Sequence, residues 1–273
     1  MPTMLNPKAG PALADARRQL HHAAQFATAA GISYLPKRTD DSHTNLEWLD
    51  RDGMLASHPI PATTPFRIAV RARDLLLRFL DTHNATLAEL PIGDKTIADV
   101  ERWIRARLPE LGADAGRFTL RRHYEIPYHA VDTGTPFDTS DTDAFGQLAA
   151  WFSTGTELLE HLRQSVRDAE ASDVRCWPHH FDIATLITVA PGKTVGVGLE
   201  PGDVYYEEPY FYVNMSPSPA AAPKRELAGH GSWHTHEWIG AVLPVSRLSA
   251  TNARDEAGAF IRSAVAACRA ELG

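Results

Sequence analysis

The sequence predicts an α+β fold in which antiparallel β-sheet packs against helices. Two observations lead to this prediction. Several short segments alternate apolar and polar residues, as half-buried strands do, and four longer segments place apolar residues at helical spacing. Hydrophobic residues make up 44% of the 273 residues, which is enough to bury a core and excludes a disordered chain.

The first half of the chain is predicted to begin with a helix and continue with strands. Residues 13–30 are rich in alanine and lack proline, and Gly31 is predicted to lie just past the helix end. Alternation and turn residues then predict a strand pair around residues 50–53 and further strands at 66–70, 75–79 and 86–92.

A second helix is predicted to follow these strands. Thr96, with Asp99 three positions later, is typical of a helix start, and Gly112 is predicted to end the helix. Residues 118–126 then show a strand-like pattern, and residues 130–143 form a polar loop.

The second half repeats this order of elements. Asp141 or Thr142 can cap a long helix in which Gly155 allows a close neighbour, and Thr251 or Asn252 can cap the last helix. Between these helices, strands are predicted at residues 181–189, 194–199, 210–215 and 238–245.

The two halves therefore share a helix–strands–helix plan, which suggests a pseudo-duplication with halves at residues 1–128 and 140–273. Residues 42–46 and 178–182 also resemble each other locally. Chance similarity is the alternative interpretation. In either case the prediction is one compact domain over residues 1–273, a length that a single α+β domain can reach.

Charge and composition narrow the classes of partner. The formal net charge is −7 and no basic stripe is present, which argues against non-specific binding to nucleic acid or to anionic membrane. Residues 1–7 lack the pattern of a secretory signal, no apolar segment approaches the length of a membrane span, and Cys176 and Cys268 fit no disulfide framework. The predicted location is the cytoplasm, and the oligomeric state is left open.

Chemistry-bearing side chains concentrate in residues 177–182, 200–210 and 231–238. Carboxylates, imidazoles, phenols and indoles together suit a small polar ligand held in a cleft with aromatic walls. The predicted polar anchors, which would also be the catalytic groups of an enzyme, are Asp182, Glu208 and His234. The predicted walls are Trp177, Tyr205, Tyr210, Tyr212, Trp233 and Trp238. A β-rich core with ordinary aromatic packing is the alternative, and whether the protein is an enzyme is left open.

A metal site is a second hypothesis. His180, Asp182 and His236 could form a facial triad for iron or another divalent metal, since two histidines and a carboxylate are the ligands of non-haem iron oxygenases. This spacing, with Arg247 further on, resembles the iron and 2-oxoglutarate dioxygenases, in which such an arginine holds the co-substrate carboxylate. The motif is loose, however, and Arg247 precedes a helix rather than lying within a strand.

A non-catalytic interaction module is the third hypothesis. The proline- and alanine-rich residues 217–223 and exposed tyrosines would then form the contact surface. Tyr124, Glu125 and Tyr128 either line a cleft or pack. The remaining histidines considered are interpreted as ordinary surface or helix-face residues: His21, His22, His58, His83 and His161.

Several short motifs occur in an order that resembles a bacterial family, domain-of-unknown-function family 5996. These motifs are TIADV at 96–100, YEIP at 124–127, PFD at 136–138, FDIA at 181–184 and EPYFYV at 208–213. The resemblance implies no established activity. It places Asp182, Glu208, Tyr210 and Tyr212 on motif positions but not His180 or His236, so it implies that a metal site is not shared across the family.

Overall fold

A computed structural model describes residues 11–273 of the protein. Residues 1–7, on which the prediction of no secretory signal depends, lie outside the described residues. The helices are α1 (Pro11–Tyr34), α2 (Ile97–Arg107), α3 (Thr142–Ser165) and α4 (Ala253–Leu272). The strands are β1 (Glu47–Leu49), β2 (Met54–Ala56), β3 (Arg67–Arg71), β4 (Leu76–Leu80), β5 (Thr86–Pro91), β6 (Glu170–Ala171), β7 (Arg175–Trp177), β8 (Asp182–Ala190), β9 (Lys193–Glu200), β10 (Tyr210–Ser216), β11 (Ser232–His234) and β12 (Gly240–Pro244).

The α+β prediction is confirmed. One five-stranded antiparallel sheet has the order β1-β2-β3-β4-β5, and one seven-stranded sheet has the order β11-β12-β10-β9-β8-β6, with β7 also pairing with β8. The elements follow the order helix, strands, helix twice along the chain. A common origin of the two halves stays a prediction.

The described chain divides into two compact units. One comprises Ala150–Arg175 and Asp182–Gly273, with residues 11–14, and is called the seven-stranded unit here. The other comprises Asp15–Ala149 and Cys176–Phe181 and is called the five-stranded unit. The boundaries differ from the predicted halves because residues 176–181 belong to the first sheet's unit. The prediction of one compact domain stays a prediction.

The five-stranded unit follows the predicted strands closely. Strands β3 and β4 contribute fully buried Ile68, Val70, Leu77 and Phe79. The predicted start of α2 is confirmed as a capping box, in which Thr96 and Asp99 bond to each other's backbone N–H. The left-handed Gly112 closes the short 3-10 helix that follows α2.

The strand predicted at residues 118–126 does not form. Its hydrogen bonds go to helix side chains instead of a neighbouring strand. On α1, Ser33 Oγ accepts from the N–H of Thr119 and Gln25 accepts from the hydroxyl of Tyr124. On α2, Arg105 donates to the carbonyl of Phe118. Further along, His22 bonds to the carbonyl of Pro127 and Gln19 accepts from the N–H of Asp138. Side chains therefore supply hydrogen-bond partners for an irregular segment, where in a sheet a neighbouring strand would supply them.

Helix α1 also corrects two other expectations. Gly31 lies inside the helix, not past its end. Glycine is required at this position because a Cβ there would come within 2.3 Å of the carbonyl oxygen of His43. His21 and His22 are not surface residues. They are only 5% and 2% exposed, and the ring of His21 stacks on Phe181 at 4.4 Å.

The seven-stranded sheet buries one of its faces under helices. Ile183 pairs with Leu199 on that face, and both press against Gly155 of α3, where a Cβ would lie 2.9 Å from Leu199. The close approach predicted at Gly155 is therefore confirmed. Helix α4 packs against β9, β10 and β12. Because side chains alternate along a strand, the even-numbered residues of β8, β9 and β10 lie on the opposite face.

Among residues 11–273, no helix combines the length and the apolar character that crossing a membrane would require.

Candidate ligand-binding site

The even-numbered face of the seven-stranded sheet carries the candidate site. Tyr212 pairs with Gly198, which pairs with Ala184, so these three residues lie side by side on neighbouring strands. Tyr210 pairs with Glu200 one step along the same face. We call this surface the tyrosine face; its residues are Asp182, Glu200, Tyr210, Tyr212 and His234.

Gly198 determines how Tyr212 lies on this face. A Cβ at Gly198 would lie only 2.6 Å from the ring and hydroxyl of Tyr212, so the ring rests directly on the backbone of β9. The ring thereby crosses β9 and its hydroxyl donates a hydrogen bond to Oδ2 of Asp182 on β8. A glycine inside a strand is typical of such a close approach.

Asp182, the acceptor of this hydrogen bond, is only 4% exposed, and Tyr212 is half-buried. Burial raises the pKa of Tyr212 well above its ordinary value, and the charges of Asp182 and Glu200 raise it further. The phenol is therefore protonated at neutral pH and acts as a hydrogen-bond donor.

Residues 201–209 form a loop whose conformation depends on Asp203. Oδ1 of Asp203 accepts from the backbone N–H groups of Tyr205 and Tyr206, at 2.8 and 2.9 Å. Its Oδ2 accepts from the hydroxyl of Tyr210 at 2.9 Å. Burial raises the pKa of Tyr210, with further contributions from Glu200 and Asp203. One carboxylate thus fixes both the loop and a ring of the tyrosine face.

His234 connects the loop to β11. Its Nδ1 lies 3.0 Å from the hydroxyl of Tyr206, and its Nε2 lies 2.7 Å from the carbonyl oxygen of His236. A carbonyl oxygen can only accept, so Nε2 carries a proton and donates it. A neutral imidazole then accepts from Tyr206 at Nδ1, which satisfies both partners.

Trp238 and Tyr205 complete the site at its outer end. Trp238 stacks on His234 with ring centroids 4.4 Å apart, and it packs so closely on Gly240 that a Cβ there would lie 2.4 Å from the indole. The hydroxyl of Tyr205 donates to Oε2 of Glu237 at 2.7 Å.

These side chains form one continuous series of rings. The centroids of successive members lie 4.4–6.4 Å apart, which is the range of ordinary aromatic contacts. In order, the series is Tyr212, Tyr210, Tyr206, His234, Trp238 and Tyr205.

The structure brings together six of the predicted site residues: Asp182, Tyr205, Tyr210, Tyr212, His234 and Trp238. Three others lie elsewhere. The carboxylate of Glu208 accepts from the N–H and hydroxyl of Ser246, at 2.6 and 2.7 Å. Trp233 follows the alternation of β11 away from His234, and its indole donates to the carbonyl of Arg225. Trp177 is the last residue of β7 and, although β7 pairs with β8, it belongs to the five-stranded unit.

Sequence reasoning did not single out Gly198, Glu200, Asp203, Tyr206 or Glu237. For Gly198 a signal existed: the alternation of β9 puts Gly196, Gly198 and Glu200 on one face, and interior glycines there indicate an approaching side chain. For Asp203 and Glu237 no periodic signal exists, because both lie outside regular strands.

The proposed metal ligands are distributed as follows. His180 is exposed and lies in a turn of the five-stranded unit, while Asp182 belongs to the seven-stranded unit. Strand β11 ends at His234, so strand alternation does not place His236 beside it. Arg247 lies in a 3-10 helix and donates to the carbonyl of His230 and the hydroxyl of Ser232. Within the described part of the chain, no group of three His, Cys, Asp or Glu side chains is placed to hold a metal ion.

Comparisons with protein-family models, with curated proteins and with solved structures give no match to this chain. The similarity to domain-of-unknown-function family 5996 stays a prediction from the sequence.

Proposed function

We propose that the protein binds a small polar molecule at the tyrosine face. The observation that supports this most is the continuous series of six rings, which lies beside the carboxylates of Asp182 and Asp203. Rings of this kind offer flat apolar area, while hydroxyl and carboxylate oxygens offer directional hydrogen bonds, and ligand sites combine these two properties.

The polar groups of the site are held in place by the protein itself. Tyr212 is fixed by Gly198 and Asp182, and Tyr210 by Asp203. Each phenol uses its proton within the protein, but its oxygen can still accept a hydrogen bond from a ligand. Groups that are already ordered lose little conformational entropy on binding, which favours affinity.

The site suits binding better than proton abstraction. The raised pKa values of Tyr210 and Tyr212 keep both phenols protonated at neutral pH, so neither acts as a base there. Their role in the proposal is to orient a ligand. Catalysis by the protein, the oxygenase hypothesis and the interaction-module hypothesis stay hypotheses.

The test is a screen of small polar compounds, scored by the rise in Tm and followed by isothermal titration calorimetry. Tyr212→Phe removes a hydroxyl of the site and Asp182→Asn removes a negative charge, and we expect each to weaken binding by about tenfold, which corresponds to roughly 1.4 kcal/mol.

Tyr34→Phe is the matched control, because the hydroxyl of Tyr34 also donates an internal hydrogen bond, to the carbonyl of Asp114 at 2.8 Å, but lies in the five-stranded unit. This control should leave affinity unchanged. The proposal fails if no compound raises Tm, or if Tyr34→Phe and Tyr212→Phe weaken binding equally.

A further inference from the structure

The outer end of the tyrosine face contains an exposed group of rings around one carboxylate. We call Tyr205, His234, Trp238 and Glu237 the aromatic corner. Tyr205 is 36% exposed, Glu237 is exposed, and both His234 and Trp238 are half-buried. A solute can therefore reach this group without unfolding the sheet.

In the aromatic corner, the ring of Tyr205 stands nearly at right angles to the other two rings. His234 and Trp238 are stacked with 28° between their planes, whereas the plane of Tyr205 is inclined by 73° to the first and 71° to the second. The group therefore presents ring planes in two nearly perpendicular directions. The face of an aromatic ring attracts a cation within about 6 Å of its centroid, most strongly for tryptophan.

Glu237 adds a carboxylate beside these rings. Its Oε2 lies 2.7 Å from the hydroxyl of Tyr205, so the charge sits at the rim of the corner. A carboxylate has about four lone-pair positions and can accept from a ligand while it accepts from Tyr205. Glu237 also has φ +67°, a left-handed conformation that is unfavourable for a residue other than glycine.

The surrounding charges favour a cation over an anion. Residues 200–208 include Glu200, Asp203, Glu207 and Glu208 and no lysine or arginine. On the side of β11, Arg247 donates to the carbonyl of His230 and the hydroxyl of Ser232 and keeps its positive charge, which acts on Tyr206. The four carboxylates of residues 200–208 outnumber this charge. A ligand carrying phosphate or carboxylate would meet net repulsion here, and a ligand carrying an ammonium group would meet attraction.

We infer that the aromatic corner binds a small organic cation, an ammonium group that is the charged end of the molecule bound at the tyrosine face. This inference rests on the proposed function and adds the chemical class of the ligand. The ring faces contact the alkyl groups on nitrogen, and Glu237 supplies the opposite charge. The shared chemistry covers primary amines and quaternary ammonium compounds.

Calorimetry with choline tests the inference. The comparison compound is dimethylbutanol, the uncharged analogue in which a tert-butyl group replaces trimethylammonium. Choline should bind about tenfold more tightly than this analogue, because the two have similar shape and differ in charge. A parallel titration with ethanolamine distinguishes a primary amine from a quaternary ammonium ligand.

Two variants locate the site. Trp238→Leu removes the best cation-binding ring and Glu237→Gln removes the charge while keeping the shape, and each should weaken choline binding about fivefold to tenfold. Trp103→Leu is the matched control, since Trp103 is also half-buried and contacts an aromatic ring, Phe79 at 5.7 Å, but lies in the five-stranded unit. The control should bind choline like the parent protein.

Equal affinity for choline and dimethylbutanol, or choline binding that survives both site variants, would overturn the inference. If the compound screen yields only neutral or anionic ligands that depend on Tyr212 and Asp182, the cation inference fails while the proposed function stands. If neither choline, ethanolamine nor any compound of the screen binds, both fail together.

Discussion

At the scale of single residues, the tyrosine face depends on the absence of a side chain at Gly198. The ring of Tyr212 occupies the space that a Cβ would fill, and only there does its hydroxyl reach Asp182. Tyrosine and aspartate alternate with apolar residues in many strands without forming such a pair. The glycine is what converts strand alternation into a buried polar contact.

We therefore predict that Gly198→Ala displaces Tyr212. The new methyl group would lie 2.6 Å from the ring, and forced repacking of this kind costs about 1–3 kcal/mol of unfolding free energy. Urea unfolding measures this cost. Gly146→Ala is the control, because beyond the adjacent residues and the nearby helix backbone no atom lies within 4 Å of its added Cβ. Alanine also favours helix α3, so that variant should be as stable or more stable. Equal unfolding midpoints for Gly198→Ala and the parent protein would contradict the prediction.

The pair of Tyr212 and Asp182 leads to a second prediction, for alkaline pH. Because the folded protein raises the pKa of Tyr212, the folded state holds a proton that the unfolded state releases above pH 10, and stability is lost as the pH rises beyond that value. Asp182→Asn removes a charge that raises this pKa, although burial remains its largest cause. One phenol should therefore ionise at lower pH in the variant, which the absorbance of tyrosinate measures. An unchanged titration curve would show that Asp182 does not act on Tyr212.

At the scale of elements, helix α1 is held by a buried polar face. His21 bonds through Nε2 to the carbonyl of Pro178 at 2.8 Å, and Gln25 bonds to the same carbonyl at 3.3 Å. His22 bonds through Nε2 to the carbonyl of Pro127 at 3.0 Å, whereas its Nδ1 lies 3.2 Å from Asp132 without forming a hydrogen bond. These bonds attach irregular segments to the helix, where a sheet would have used backbone bonds alone.

The buried face predicts a loss of stability in acid. Burial lowers the pKa of His21 from 6.5 to about 3, so the unfolded state takes up a proton below pH 6.5 that the folded state accepts only near pH 3. Stability is complete above pH 6.5 and falls towards pH 3, by an amount of the order of 5 kcal/mol from this residue. Burial lowers the pKa of His22 as well, against an opposing effect of Asp132.

Unfolding free energies measured from pH 7 to pH 4 check this prediction. His21→Gln keeps a donor for Pro178 but cannot be protonated, so its stability should fall less steeply with pH than that of the parent protein. His83→Gln changes an exposed histidine and should keep the parent slope. Parallel curves for the His21→Gln variant and the parent protein would contradict the role of His21.

Strands and helix starts were predictable because their signals are local. Alternation at Phe66, Ile68 and Val70 gave β3, and Thr96 with Asp99 gave the start of α2. Residues 118–126 show the same kind of alternation but form no strand, because their partners lie on α1 about a hundred residues earlier in the chain. The prediction for Gly31 was wrong for a similar reason. Glycine is needed there because the backbone of His43 lies against it, and local sequence does not reveal this contact.

In the site, too, the strand residues were predictable and the loop residues were not. Asp182, Tyr210 and Tyr212 lie in strands, where alternation assigns them to one face once the register is known. Tyr206 and Asp203 lie in the loop between β9 and β10, and Glu237 in the turn before β12. Their positions depend on side-chain hydrogen bonds and on a left-handed residue, which periodicity does not encode.

At the scale of the whole molecule, each compact unit contains one cysteine. Cys176 belongs to the five-stranded unit and Cys268 to the seven-stranded unit. Both are fully buried and neither forms a disulfide. Burial raises the pKa of Cys268 to about 12, so this thiol is protonated and unreactive at neutral pH. The two thiols therefore report separately on the unfolding of the two units.

We predict that both thiols become reactive in one transition as urea is raised. Helix α3 is continuous from Thr142 to Ser165, yet its residues up to Ala149 belong to one unit and those from Ala150 to the other, so unfolding either unit removes part of a shared helix. Each of the variants Cys176→Ala and Cys268→Ala retains one thiol. Labelling that thiol at each urea concentration, with the labelled fraction measured by mass spectrometry, gives one curve for the seven-stranded unit and one for the five-stranded unit, respectively. Coincident midpoints support the single domain predicted from the sequence. Midpoints separated by more than about 1 M urea would mean that the units unfold independently, since 1 M corresponds to about 1–3 kcal/mol for small proteins.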